Sequence, residues 1–262
     1  MLTRIISGAV LIIVVAALIC FHLLVDFPYL LIAVLSLVAA TATYELGKNA
    51  KLVNNKWLVL FSSIWAALQL AALCILPSLS LYISIVFVLI MAICTLVFYG
   101  KVANSEIMSA VALPIILSFA FYCVYALLQR DLLYLLLLLN FSSVCDCGAY
   151  FVGVTVGRHK LCEKISPKKT VEGAIGGIAL SVAVTIALCF IFGIVDKMLP
   201  LIIMTPILCA IGMIGDLFAS VIKRNADIKD YGNLIPGHGG ITDRFDSILL
   251  IAPIFVLLIS LF

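Results

Sequence analysis

Residues 198–222 read MLPLIIMTPILCAIGMIGDLFASVI, an apolar run long enough to cross a bilayer as a helix, with a single acid, Asp216, inside it. A carboxylate near hydrocarbon costs several kcal/mol on any scale, so Asp216 points to a functional demand. Past Ile222 the sequence turns polar: Lys223-Arg224, Asp227, Lys229-Asp230, then Pro236-Gly237-His238-Gly239-Gly240, then Thr242-Asp243-Arg244-Phe245-Asp246-Ser247. In a continuing helix Asp216, Ser220, Lys223 and Asp227 recur at spacings of four, three and four and line one face. Asp243 and Asp246 fall in the first turn of a further apolar segment, with Thr242 in position to cap it.

The composition around this stretch excludes a soluble domain. Of 262 residues, 65% are hydrophobic and 11% charged. Apolar runs recur at 5–24, 28–44, 57–76, 81–99, 107–128, 132–156, 171–195, 198–222 and 241–262. The expectation is an all-α, polytopic integral membrane protein of nine transmembrane helices, N-terminus cytoplasmic and C-terminus outside. In that topology every Lys and Arg except Arg130 and Lys197 lies on the inner side. The net charge of +3 is therefore sorted by topology and implies no nucleic-acid partner. The nine cysteines show no CxxC spacing and read as small buried apolar side chains.

Two regions follow from the distribution of polar residues. Residues 1–128 read as a scaffold of about five helices, with His22 an interfacial group and Glu45 placed to snorkel to water at the inner end of the second run. Residues 129–262 read as the catalytic region, four helices with two cytoplasmic loops. Its first run contains a second intramembrane acid, Asp146, among small neighbours. The loop after it carries Ser166-Pro167-Lys168-Lys169-Thr170 just before a helix start, a setting that suits phosphate. Thr170 and Glu172 also fit helix caps.

Both loops are too short to fold a soluble nucleotide-binding domain, so the chemistry belongs at the cytoplasmic interface, where a lipid head group already sits. Asp216, Asp243 and Asp246 beside Lys223, Arg224 and Arg244 suit a divalent cation holding a polyphosphate. Gly237-His238-Gly239-Gly240 forms a turn whose N–H groups can approach an oxyanion. A proton- or cation-coupled transporter would also use intramembrane acids, but it predicts acids spread through the membrane and an internal repeat, which the sequence lacks.

The last cluster resembles the signature of the phosphatidate cytidylyltransferase family, bacterial type. Ser220, Lys223, Arg224, Lys229, Asp230, Gly232, Ile235, Pro236, His238, Gly239, Gly240, Ile241, Asp243, Arg244, Phe245 and Asp246 carry it, and Ser166 to Thr170 with Glu172-Gly173 resemble the family's second block. The sequence departs from the family at Cys147, where a hydroxyl residue is usual, and at Val154, where a base is usual. The resemblance implies CTP and phosphatidic acid as substrates, Mg²⁺ as cofactor with K⁺ as a further candidate, a homodimer, and a bacterial inner membrane with the active site facing the cytoplasm. Beside the resemblance, the residue chemistry assigns Asp216, Asp243 and Asp246 to metal and Lys223, Arg224, His238, Arg244 and Asp246 to catalysis. Ser166, Lys168, Lys169, Thr170, Glu172, Ser220, Gly239, Gly240 and Asp146 go to substrate or phosphate binding. A CTP-dependent lipid or prenol kinase is the nearest alternative, distinguished by release of CDP instead of pyrophosphate.

Overall fold

In lipid, long apolar runs satisfy their backbone groups internally as helices, and the chain follows this rule. The computed structural model describes residues 13–261 apart from 14, 15, 23, 26, 98, 236 and 238. Helix α1 spans Pro28–Tyr44 and continues through a π-helical turn at Glu45–Asn49; α2 spans Lys56–Ile75, α3 Pro77–Val97 and α4 Asn104–Arg130. α5 (Leu132–Leu139), a second π-helical turn (Asn140–Val144) and α6 (Cys145–Thr155) run on as one rod. A two-stranded antiparallel hairpin follows, β1 (Lys160–Cys162) against β2 (Ser166–Thr170). Then come α7 (Val171–Ile191), α8 (Met198–Asn225), α9 (Thr242–Phe245) and α10 (Ile248–Ile259).

The helix boundaries have local causes. Asn55 caps α2 by accepting the N–H groups of Trp57 and Leu58 at 3.0 and 3.4 Å. Asp131 caps α5 through Leu133 N–H at 2.8 Å, and Thr170 caps α7 through Gly173 N–H at 3.1 Å. Past the end of α8, Asp227 sits in the left-handed region at φ 59°, which Asp tolerates better than most residues.

Among the described residues seven helices are long and apolar enough to cross a membrane. The run at 5–24 falls largely outside the described residues. The run at 241–262 is broken into the short α9 and the 12-residue α10. The chain is an integral membrane protein, and among the described residues the hairpin is its one sheet.

The chain divides into two compact units, Met1–Tyr122 with Asn225–Arg244, and Cys123–Arg224 with Phe245–Phe262. The boundary expected at 128 falls inside α4, and the polar segment after α8 groups with the N-terminal helices. In the first unit Val53, Val59, Phe87, Met91 and Ala110 form a buried cluster, with Trp65 stacked on Phe87 at 4.9 Å between ring centroids. In the second unit α6 and α7 meet glycine to glycine. A Cβ on Gly148 would lie 3.1 Å from the Gly177 Cα, and one on Gly177 would run into the Cys145 carbonyl oxygen. Behind this contact Asn140 donates to the Ser181 carbonyl and the Thr185 hydroxyl, both at 3.0 Å, and Thr185 shares a 3.0 Å hydrogen bond with Thr205. Without a hydrophobic drive between helices in lipid, such close packing and polar bonding hold them together.

Gly177→Val forces α6 and α7 apart. It is expected to cost about 1–3 kcal/mol, the usual range for overpacking, read as a lowered Tm of the detergent-solubilised protein; an unchanged Tm contradicts this packing.

Candidate functional site

In the second unit the site is built on α8. Asp216 lies three-quarters buried with its carboxylate paired to Lys169. Lys169 reaches it because β2 is a strand, where successive side chains point to opposite faces. Lys169 turns inward, Lys168 is exposed, and Thr170 is buried as the cap of α7. Asp246 is brought to the same place from the chain between α9 and α10, and its side chain interacts directly with that of Asp216. Gly215 permits this approach: a Cβ there would lie 2.9 Å from the Asp246 carbonyl oxygen and 3.3 Å from the Ser247 Cα.

The electrostatics of this arrangement are balanced. Two like charges about 4 Å apart repel by about 4 kcal/mol at an effective dielectric of about 20, so neighbouring carboxylates call for cations or a shared proton. Lys169 supplies one cation to Asp216, and Lys223 Nζ stands 3.8 Å from Asp246 Oδ2. Asp246 Oδ1 accepts the Ser247 N–H at 2.8 Å, which fixes its rotamer. The charges of Lys169 and Asp216 also reach Asp146. Ser220 sits half-buried one turn beyond Asp216, and Arg224 is exposed at the end of α8. Asp227 leaves the helix, so the expected face of four ends at Lys223.

The carboxylate of Glu172 is engaged within the hairpin. It accepts the N–H groups of Arg158 and His159 at 3.1 Å each and bonds His159 Nδ1 at 2.5 Å, pinning the start of the hairpin to α7. Lys160 Nζ donates to the Pro167 carbonyl at 2.7 Å, closing the hairpin across its strands. Ser166 is half-buried on β2.

In the first unit, Tyr231 and Gly240 are gathered around Asp243. Asp243 Oδ2 accepts the N–H groups of Tyr231 at 2.8 Å and Gly240 at 3.0 Å. The N–H of Gly240, expected to face an oxyanion, is thus turned to Asp243. Gly239 has φ 85°, and a Cβ on it would lie 2.9 Å from Asp243 Oδ2, so the position takes only glycine. Ile235 N–H donates to the Gly239 carbonyl at 3.0 Å, and Arg244 is exposed at the end of the segment. His238 lies outside the described residues. Thr242 begins α9 without capping it; its N–H is accepted instead by Glu45, a residue the sequence reading left to the scaffold.

Whether this donor set suits a divalent cation can be judged from its chemistry. Among the described residues no group of three His, Cys, Asp or Glu is gathered for a metal. Asp216 and Asp246 nevertheless offer adjacent hard oxygens, and Mg²⁺ is commonly held by one or two carboxylates together with substrate phosphates and water. The residues fit Mg²⁺ on those terms.

The sequence matches the model of the cytidylyltransferase family over residues 2–262. It is 46% identical over 121 residues to the phosphatidate cytidylyltransferase of Bacillus subtilis, covering 45% of this chain and 44% of that protein. It is 41% identical over 135 residues to that of Staphylococcus haemolyticus and 39% over 135 residues to that of Staphylococcus aureus, covering 52% of each chain in both comparisons. The chain thus spans about half the length of the relatives it matches.

A double-mutant cycle on thermal stability separates the two adjacent lysines. Lys169→Ala with Asp216→Asn is expected to show a coupling of about 0.5–3 kcal/mol, and Lys168→Ala with Asp216→Asn none. Equal coupling for both lysines contradicts the strand geometry.

Proposed function

We propose that this chain, which belongs to the cytidylyltransferase family, transfers a cytidylyl group from CTP to phosphatidic acid, giving CDP-diacylglycerol and diphosphate. The observation that carries the reading is the Asp216–Asp246 pair with Lys169 and Lys223 on either side. Adjacent carboxylates flanked by lysines at the end of a membrane-length helix suit a nucleotide's phosphates and a lipid's phosphate at one depth.

In the reaction an oxygen of the lipid phosphate attacks the α-phosphorus of CTP. A new phosphorus–oxygen bond forms, the bond from the α-phosphorus to the bridging oxygen breaks, and diphosphate leaves with the electron pair. No protein nucleophile is needed, so positioning and charge neutralisation supply the rate. Asp216 and Asp246 would hold Mg²⁺, which supplies positive charge to the phosphates when bound. Lys223 and Arg224 receive phosphate oxygens of CTP, and Lys169 is poised to turn from Asp216 to phosphate. The exposed Lys168 with Ser166 takes the more peripheral phosphate. Asp243 and Arg244 keep the metal and phosphate roles that the family signature suggests for them. The excess of Lys and Arg that the nine-span topology would put on the inner side supports a site on the cytoplasmic face of a bacterial inner membrane. A homodimer and a second cation, K⁺, rest on the family resemblance alone.

Purified protein in detergent with Mg²⁺, CTP and phosphatidic acid is expected to release diphosphate and form a liponucleotide in equal amounts. Release of CDP with a phosphorylated lipid would instead establish a CTP-dependent lipid kinase, and no turnover would overturn both. Asp243→Asn keeps an acceptor for the Tyr231 and Gly240 N–H groups but loses the charge, so it should fold, insert and lack turnover at any Mg²⁺ concentration. Turnover at the unmodified level in that variant removes the metal role of Asp243.

A further inference from the structure

The first unit contains a buried acid that the cytidylyl-transfer reading leaves without a role. Glu45 opens the π-helical turn at the end of α1 and is only 5% exposed. Both of its oxygens are engaged by the signature segment: Oε1 accepts the Ile241 N–H at 3.0 Å and Oε2 the Thr242 N–H at 2.8 Å. The same oxygens form a wall against two glycines. A Cβ on Gly240 would lie 2.5 and 2.6 Å from them, and one on Gly232 would lie 2.6 Å from Oε1. Four residues along the π-helical turn, Asn49 Nδ2 donates to the Tyr231 carbonyl at 2.5 Å.

Burying a carboxylate is costly unless its hydrogen bonds return the loss, and bonds to an ionised acceptor are roughly twice as strong as neutral ones. A neutral cap would hold a surface turn at lower cost. Two oxygens accepting the N–H groups of two successive residues fix the backbone of 241–242 at two points. Asp243 already gathers Tyr231 and Gly240 from inside the turn, while Glu45 and Asn49 grip Tyr231, Ile241 and Thr242 from outside. π-helical turns occur often at functional sites because they redirect side chains that a regular helix would aim elsewhere.

We infer that Glu45 is a positioning residue for the transfer reaction, holding the backbone of 240–242 so that the carboxylate of Asp243 is presented in one orientation. The inference rests on the cytidylyl-transfer reading, and its test has one readout independent of activity. Glu45→Gln keeps the side chain's size but points an amide N–H at a backbone N–H. In the full chain in detergent it should speed hydrogen exchange at the Ile241 and Thr242 amides and lower kcat for diphosphate release by about tenfold to a hundredfold, with KM for CTP little changed. Glu106→Gln is the control, because Glu106 likewise accepts backbone N–H groups, but those of Asn54 and Asn55 and not of the signature segment; its kcat should match the unmodified chain. Asn49→Ala, which removes the grip on Tyr231, should reproduce a smaller kcat loss and serves if Glu45→Gln fails to fold. Unchanged exchange, or faster exchange with unchanged kcat, overturns the inference. If the unmodified chain releases no diphosphate, the cytidylyl-transfer reading fails, and the exchange result alone decides whether Glu45 holds the turn.

Discussion

Two carboxylates forced together at the end of a membrane helix need positive charge, and the second unit is arranged to supply it. Asp216 and Asp246 interact directly, Lys169 pairs with the first and Lys223 stands beside the second. In water such a cluster would be worth little, because solvent screens exposed pairs. Partly buried on α8, the same charges interact strongly enough to fix which side chains face each other, and they leave a set of oxygens and ammonium groups suited to a cation and to phosphate.

Backbone geometry makes the cluster possible. Gly215 leaves room for the chain at Asp246 and Ser247 to lie against α8. The glycines of α6 and α7 bring those helices close enough that β2, capped into α7 by Thr170, can deliver Lys169. Strand alternation then sends Lys168 and Lys169 to opposite faces, which is why neighbouring residues of one type have different surroundings. In the first unit the same economy appears around Asp243, whose Oδ2 organises the turn that presents it.

Much of this was legible in the sequence. Apolar length alone gave the helices, because lipid leaves the backbone few alternatives. An acid inside such a run singled out Asp216, and Thr170 with Glu172 at the start of α7 gave the Thr170 cap. What stayed hidden depends on contacts distant in the chain or on local irregularity. Glu45 lies 196 residues from the N–H of Ile241 that it accepts, and nothing in its neighbourhood distinguishes it from a snorkelling acid. The exit of Asp227 into a left-handed conformation, the break between α9 and α10 and the two π-helical turns interrupt a periodicity that the sequence continues without a visible signal, and the hairpin at 160–170 forms in a stretch that read as loop. Glu172 carried a cap-like pattern, yet tertiary structure gave its carboxylate to Arg158 and His159.

The central claim is that Asp216 and Asp246 together hold a divalent cation that reaches the nucleotide. Titrating detergent-solubilised protein with Mn²⁺ in the presence of CTP, followed by electron paramagnetic resonance, tests it directly. The account predicts a nucleotide-dependent bound ion that is lost in Asp216→Asn and in Asp246→Asn while both variants stay folded. Binding of the same ion with unaltered affinity in the Asp216→Asn/Asp246→Asn double variant would contradict it.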